Sequence, residues 1–278
     1  MADSQPAGQL SDAEGEEVVR AAATIDRWCS MEDEQTAVGP EGPDEPADLF
    51  VLFGGGVLGI VDTLAEAMDK NLAARYAIVG GRGHATFWLE RSMGDPLYQG
   101  ELEAARVDPA VASESEMLAV ALTQEYGQRV DFLETRSTNC GNNITYLLDL
   151  LDAQSLRPTS VILSQDPTMQ RRMHATWSRQ AEDRQRFAST RLLSLPAFRA
   201  SLTWRDGDFA WDDAPRGMWK PERYLQLLAG EVDRMTDNES GYGPNGADYI
   251  AHVDVPPEVT QAAESLKTLC PNVTSPRQ

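Results

Sequence analysis

The chain has 278 residues, 41% hydrophobic and 24% charged, which is enough for one α/β domain with a substantial core plus an appendage but short for two full domains. Its 44 acidic residues outnumber 24 basic ones, giving a formal net charge of -20, and this excludes a surface built for nucleic acid or anionic lipid, since counterion release needs clustered lysine and arginine. No window approaches the roughly 20 apolar residues that cross a bilayer, and the opening MADSQPAGQL has neither the basic nor the apolar region of a secretion signal, so a cytoplasmic protein without membrane insertion is expected.

The small, polar N-terminal stretch is expected to be disordered up to Ser11, which with Glu14 makes a capping box that opens a helix. Val18, Ala22, Ile25 and Cys29 line its apolar side. Acid, proline and glycine between Ser30 and Asp48 read as a linker, so residues 1–47 are placed outside the sheet domain. Leu49 to Phe53 is the first strand. Directly after it, Gly54-Gly55-Gly56-Val57-Leu58-Gly59 fits G-x-G-x-x-G between a strand and a helix, where glycines let the backbone approach a phosphate or nucleoside. Glycines that serve only a tight turn are the alternative. Val57, Ile60, Val61, Leu64 and Met68 continue at helical spacing.

Tyr76 to Val79 is the second strand, ending in Gly80-Gly81-Arg82-Gly83-His84. A dinucleotide fold would carry an acid there for the ribose hydroxyls; its absence weakens the NAD reading, although Arg82 leaves room for the 2′-phosphate of NADP. His84 is a candidate catalytic acid or base, or a histidine that caps a helix. The excursion from Gly94 to Ser113 is a lid, a pocket wall or an ordinary surface insertion. Glu114 and Glu116 then open a helix running to Tyr126, where the helix dipole alone accounts for at least one of them.

Val130 to Glu134 is the third strand, and the run from Ser137 to Asn143 leads into a helix with Ile144, Leu147, Leu148 and Leu151 on one side. Ser137, Thr138, Asn139 and Asn143 can cap that helix, hydrogen-bond a ligand, or both. Cys140 has no basic neighbour to make it a nucleophile, and Cys29, Cys140 and Cys270 lack C-x-x-C spacing, so all three read as free thiols. Thr159 to Leu163 is the fourth strand. After it comes Gln165 to Arg172, with Asp166 as N-cap, Pro167 at the first helical position, and Arg171 and Arg172 placed to hold an anionic ligand. On that reading, alanine at both arginines weakens binding and leaves the melting temperature nearly unchanged.

Arg191 to Leu195 is the fifth strand. From about Ser201 the alternation gives way to a tryptophan-rich, loop-rich tail with Trp204, Trp211 and Trp219, then a helix near Pro221, so that residues 201–278 form a cap on the sheet. His252 and Asp254 share one face of an extended segment, but 3 histidines without close spacing give no metal site. The whole pattern predicts an α/β fold: a Rossmann-like parallel sheet flanked by helices over residues 48–200, with a smaller, mainly helical C-terminal part. Its glycine loops should open on one sheet edge, where open α/β sheets bind ligands.

Four runs carry a family resemblance: STNCGNN from Ser137, QDPTMQRR from Gln165, PERYLQLLAGE from Pro221 to Glu231, and GYGPNG with HVD from Gly241 to Asp254. Together they resemble the YdcF branch of the YdcF, SanA and ElyC family of bacterial proteins, over the chain from Ser11 to about Val259. The resemblance implies a Rossmann-like sheet with a smaller helical C-terminal part and S-adenosylmethionine as a candidate ligand. No settled reaction comes with it. SanA and ElyC are membrane-anchored and linked to envelope polysaccharide or peptidoglycan, a role not expected of a chain without a recognisable anchor.

Carried over by position, the implied ligand-binding residues are Gly54, Gly55 and Gly56; Gly80, Gly81 and Gly83; Ser137, Thr138, Asn139 and Asn143; and Gln165, Asp166, Arg171 and Arg172. His84 and Glu114 are the implied catalytic pair, with Glu116 the alternative if the register slips by two. The function expected is the binding of a nucleoside- or phosphate-bearing small molecule, with transfer or hydrolysis as the reaction if the ligand is turned over. An NADP-dependent oxidoreductase and a non-catalytic sensor or partner-binding protein are the rival readings.

Overall fold

The computed structural model describes residues 10–33, 36 and 45–274. The expected disorder of residues 1–9 and most of the expected acidic linker lie outside the described residues. Helix α1 (Asp12–Ser30) starts as its sequence requires: the Ser11 hydroxyl accepts from the Glu14 N–H while the Glu14 carboxylate accepts from the Ser11 N–H at 2.8 Å.

Strand and helix then alternate: β1 (Leu49–Phe53), α2 (Ile60–Asp69), β2 (Tyr76–Val79), α3 (Thr86–Met93), α4 (Pro96–Ala105), α5 (Glu114–Tyr126), β3 (Phe132–Glu134), α6 (Cys140–Ala153), β4 (Ser160–Ser164), α7 (Gln170–Asp183) and β5 (Arg191–Ser194). The five strands are all parallel and lie in the order β3-β2-β1-β4-β5. β1 is buried along its whole length, and its side chains alternate between two cores. Phe50 and Leu52 join the core under α1, α2, α5 and the C-terminal helices, whereas Leu49, Val51 and Phe53 join the one under α6 and α7. The α/β architecture read from the alternation is therefore the fold observed.

Small shifts at strand ends have side-chain causes. β3 begins at Phe132 instead of Val130, because the Asp131 carboxylate takes the Tyr76 N–H at 2.8 Å ahead of the ladder. β4 begins at Ser160 instead of Thr159, whose N–H and hydroxyl both donate to Asp48. The excursion after α3 is not irregular throughout: Asp95 accepts from the Leu97 N–H and Pro96 opens α4, which packs on α5.

The tail departs most from expectation. Instead of loops it forms an antiparallel hairpin, β6 (Ser201–Arg205) and β7 (Asp208–Asp213), outside the main sheet. Asp206 and Gly207 both have positive φ, 55° and 81°, which is the turn that an Asp-Gly pair favours between strands. α8 (Pro221–Met235), α9 (Pro257–Leu269) and the short α10 (Pro271–Thr274) follow. α1 packs against α8 and α9, and the hairpin rests on α1 where Gly15 admits the Trp204 ring; a Cβ on Gly15 would lie 2.2 Å from that ring. Trp204 Nε1 also donates to Asp12 at 3.0 Å. The N-terminal helix is thus integrated with the C-terminal part. Among the described residues no helix is long and apolar enough to cross a membrane.

Candidate ligand site at the strand carboxyl ends

The chain runs outward from β1 through β2 to β3, then returns to the other side of β1 for β4 and β5. The turns after β1 and β4 consequently diverge, which is the switch point where open α/β sheets bind ligands. The glycine residues allow the neighbouring turns to close up there. A Cβ on Gly80 would lie 2.9 Å from Gly54 Cα, and one on Gly81 would lie 2.0 Å from the Ser137 carbonyl oxygen. Hydrogen bonds lock the approach: Gly54 N–H donates to Val79 O at 2.7 Å, Gly80 N–H to Glu134 O at 3.0 Å, and Gly81 N–H to Ser137 Oγ at 2.8 Å. Gln165, fully enclosed after β4, donates from Nε2 to Gly54 O at 3.4 Å. The turns after β1, β2, β3 and β4 therefore meet on one edge.

Glu114 sits at their centre. Its N–H donates to Gly81 O at 2.8 Å, its Oε1 accepts from Thr86 Oγ1 at 2.7 Å, and its Oε2 would stand 2.6 Å from a Cβ on Gly54. Burial pushes its pKa up, while the Thr86 hydroxyl and the Arg82 charge pull it back. Glu116 has the other role the sequence left open: its carboxylate accepts from the Ser113 N–H and hydroxyl in a capping box. Glu114, and not Glu116, is therefore the carboxylate that stands at the glycine turns.

The remaining residues divide between framework and rim. Ser137 holds Gly81, and its own N–H donates to the buried Glu134 carboxylate. Asn139 is the N-cap of α6, accepting from Asn142 N–H at 2.9 Å, and Thr138 donates to Asn142 Oδ1 at 3.0 Å. Asn143 is buried and Gly83 approaches the Thr138 carbonyl, whereas Gly55 is spacious, with only Gln165 Oε1 at 3.9 Å from its would-be Cβ. His84 is exposed and makes no side-chain hydrogen bond among the described residues. Arg82, expected to leave room for a 2′-phosphate, is engaged by Glu90 and the Ala112 and Pro109 carbonyls.

The run after β4 needs correction. α7 begins at Gln170, not at Pro167, because Asp166 closes a local turn by accepting from the N–H and hydroxyl of Thr168, both at 2.9 Å. Arg171 donates to the Trp28 carbonyl at 2.6 Å and lies over the Trp28 ring, 5.0 Å from its centroid. Arg172 forms a buried two-point ion pair with Glu231, Nη2 to Oε1 being 2.9 Å. The two guanidinium groups, read from sequence as holding an anion, instead join α7 to α1 and α8.

Asp166 is enclosed, and burial together with the neighbouring charges of Glu231 and Asp26 pushes its pKa up to about 7, against the bonds from Thr168. Across the window from about pH 4 to pH 7 the folded chain keeps a proton there that the unfolded chain has lost, so this group lowers stability as pH rises, by up to ~1.4 kcal/mol per pH unit. Asp166→Asn keeps the acceptor for Thr168 and removes the titration. Urea unfolding at stepped pH should show a flatter profile for the variant between pH 4 and 7; parallel profiles would place the Asp166 pKa below this window.

Sequence reasoning missed several residues that build this edge. Thr86 bridges the Gly83 N–H and Glu114, Gln170 accepts from Gln165 N–H and donates to Leu163 O, and Glu134 holds the turn after β3. Glu134 had a legible signal, an acid ending a buried strand. Thr86 and Gln170 had none, since both act across turns. Two cavities lie elsewhere: one of about 280 Å³ at the amino ends of the strands beside Asp48, Arg75 and Thr159, and one of about 390 Å³ on the outer side of β3 beside Arg136 and Tyr146. Among the described residues no three His, Cys, Asp or Glu side chains gather to hold a metal ion; His252 pairs with Asp237 at 2.7 Å and Asp254 at 3.2 Å.

Strand order and glycine-lined turns define the class of architecture: a doubly wound, Rossmann-like α/β fold with its switch point at β1 and β4. No protein-family model matches the chain.

Proposed function

We propose that this protein binds a nucleoside- or phosphate-bearing small molecule at the switch point, with S-adenosylmethionine as the candidate. The observation that carries the reading is the meeting of Gly54 and Gly80 around the buried Glu114, where bare backbone and one carboxylate line the same edge. S-adenosylmethionine is singled out by the likeness of the runs at Ser137, Gln165, Pro221 and Gly241 to the YdcF family. If the ligand is turned over, transfer or hydrolysis fits best, with Glu114 or His84 carrying the proton and Asn139 and Asn143 orienting the substrate.

A thermal-shift screen of S-adenosylmethionine, nucleotides, nicotinamide cofactors and phosphosugars tests this. A ligand at a hundred times its dissociation constant should stabilise the chain by roughly 2.7 kcal/mol, read as a rise of the melting temperature. A flat response across the panel would sink the small-molecule reading and turn attention to a protein partner.

A further inference from the structure

A ligand of this class brings negative charge that the site must receive. The third glycine of the first turn, Gly56, has an unusual neighbour. A Cβ there would lie 3.0 Å from Trp219 Nε1, 3.0 Å from Trp88 Cβ and 2.9 Å from the Ala85 carbonyl. Trp219 is 4% exposed, and its indole N–H has no hydrogen-bond partner among the described residues. A buried donor without an acceptor is rare in folded proteins and calls for a physical reason. Trp177 Nε1 is also unpartnered, but it lies on α7 in the apolar core, packed on Phe187.

Trp219 is firmly placed. Its carbonyl accepts from Trp211 Nε1 at 2.7 Å, and Trp211 stacks edge-on against Tyr224 of α8 with ring centroids 5.2 Å apart. Within the first turn of α8, the Arg223 guanidinium lies 5.2 Å from the Trp219 ring and 5.7 Å from the Trp88 ring, so a cation covers the same indole whose N–H faces the glycine turn. Trp88 and Arg223 are both only partly buried, which makes them the outer cover of this corner.

We infer that Trp219 and Arg223 form the receptor for an anionic oxygen group, a carboxylate or a phosphate, on the ligand bound at the switch point. The inference rests on the small-molecule reading and assigns the charged end of that molecule. A modest outward swing of Arg223 and Trp88 admits the oxygen to the Trp219 N–H, with Arg223 closing over it as a second donor. Arg pairs readily with such groups and keeps its stacking on the indoles while doing so.

Calorimetric titration of the full chain with two ligand pairs tests this. S-adenosylhomocysteine against 5′-methylthioadenosine isolates the amino-acid end, and adenosine monophosphate against adenosine isolates the phosphate. The wild-type chain should bind the acid-bearing member of one pair about tenfold or more tighter, and Trp219→Phe and Arg223→Gln should each abolish that preference while the neutral member binds as before. The pair that shows the preference identifies carboxylate or phosphate. In 15N-labelled protein, the indole resonance missing from Trp219→Phe should move on adding the acid-bearing member alone. An undiminished preference in Trp219→Phe, or an equal loss for both members in both variants, would overturn the receptor while leaving the switch-point site standing. Binding of none of the four would overturn that site and the receptor with it.

Discussion

Alanine at Arg172 is expected to destabilise the fold by about 3–5 kcal/mol, because it strands the Glu231 carboxylate in a place where water cannot reach it. Glu231 is 1% exposed, and its other partner, Arg234, meets only one of its two oxygens, at 3.0 Å. Arg171→Ala removes a bond to one carbonyl and a ring contact at a half-buried position, with an expected loss of about 1–2 kcal/mol. Urea unfolding of the two variants side by side gives the comparison. The sequence alone suggested the reverse, a pair whose removal spares stability. An Arg172→Ala midpoint equal to wild type would show that its guanidinium does not join α7 to α8.

Gly81→Ala is expected to cost about 3 kcal/mol, at the upper end for an added methyl group, because the atoms it meets cannot rotate away. They are the Ser137 O, Ser137 N and Arg136 C, at 2.0, 2.7 and 2.8 Å from the new Cβ, all of them main chain. Relieving the clash means separating the turns after β2 and β3. Since Gly81 O also accepts from the Glu114 N–H, any thermal-shift response to ligand should fall with stability. Gly100→Ala provides the contrast: that glycine lies inside α4 with nothing within 4 Å of its would-be Cβ, and the change should stabilise by about 0.5–1 kcal/mol. Equal midpoints for Gly81→Ala and wild type would mean that the turns are not in contact.

The sheet was legible because its strands are short apolar runs followed at once by glycine or polar turns, and β1, β2 and the bounds of α5 fall where the pattern puts them. The gathering of turns on one edge followed from the same alternation, since parallel strands joined by helices must all end on one side. What escaped was pairing across long stretches of chain. Nothing local to Arg172 announces Glu231, 59 positions away. Likewise nothing near Gly56 announces Trp219, which was noticed as part of a tail rich in tryptophan but not as a wall of the glycine turn. The hairpin at Asp206-Gly207 was different: the turn dipeptide and the alternation of Leu202, Trp204, Phe209 and Trp211 were present, and the polar residues between them masked the signal.

The contact of α1 with α8 and α9 sets an order of events during synthesis. Val18, Ile25 and Cys29 lie in the core that α1 shares with α8 and α9, so α1 gains that part of its support only after residues 221–269 have been made. A product truncated before α8 would leave α1 with a bare apolar stripe that quality-control factors can recognise.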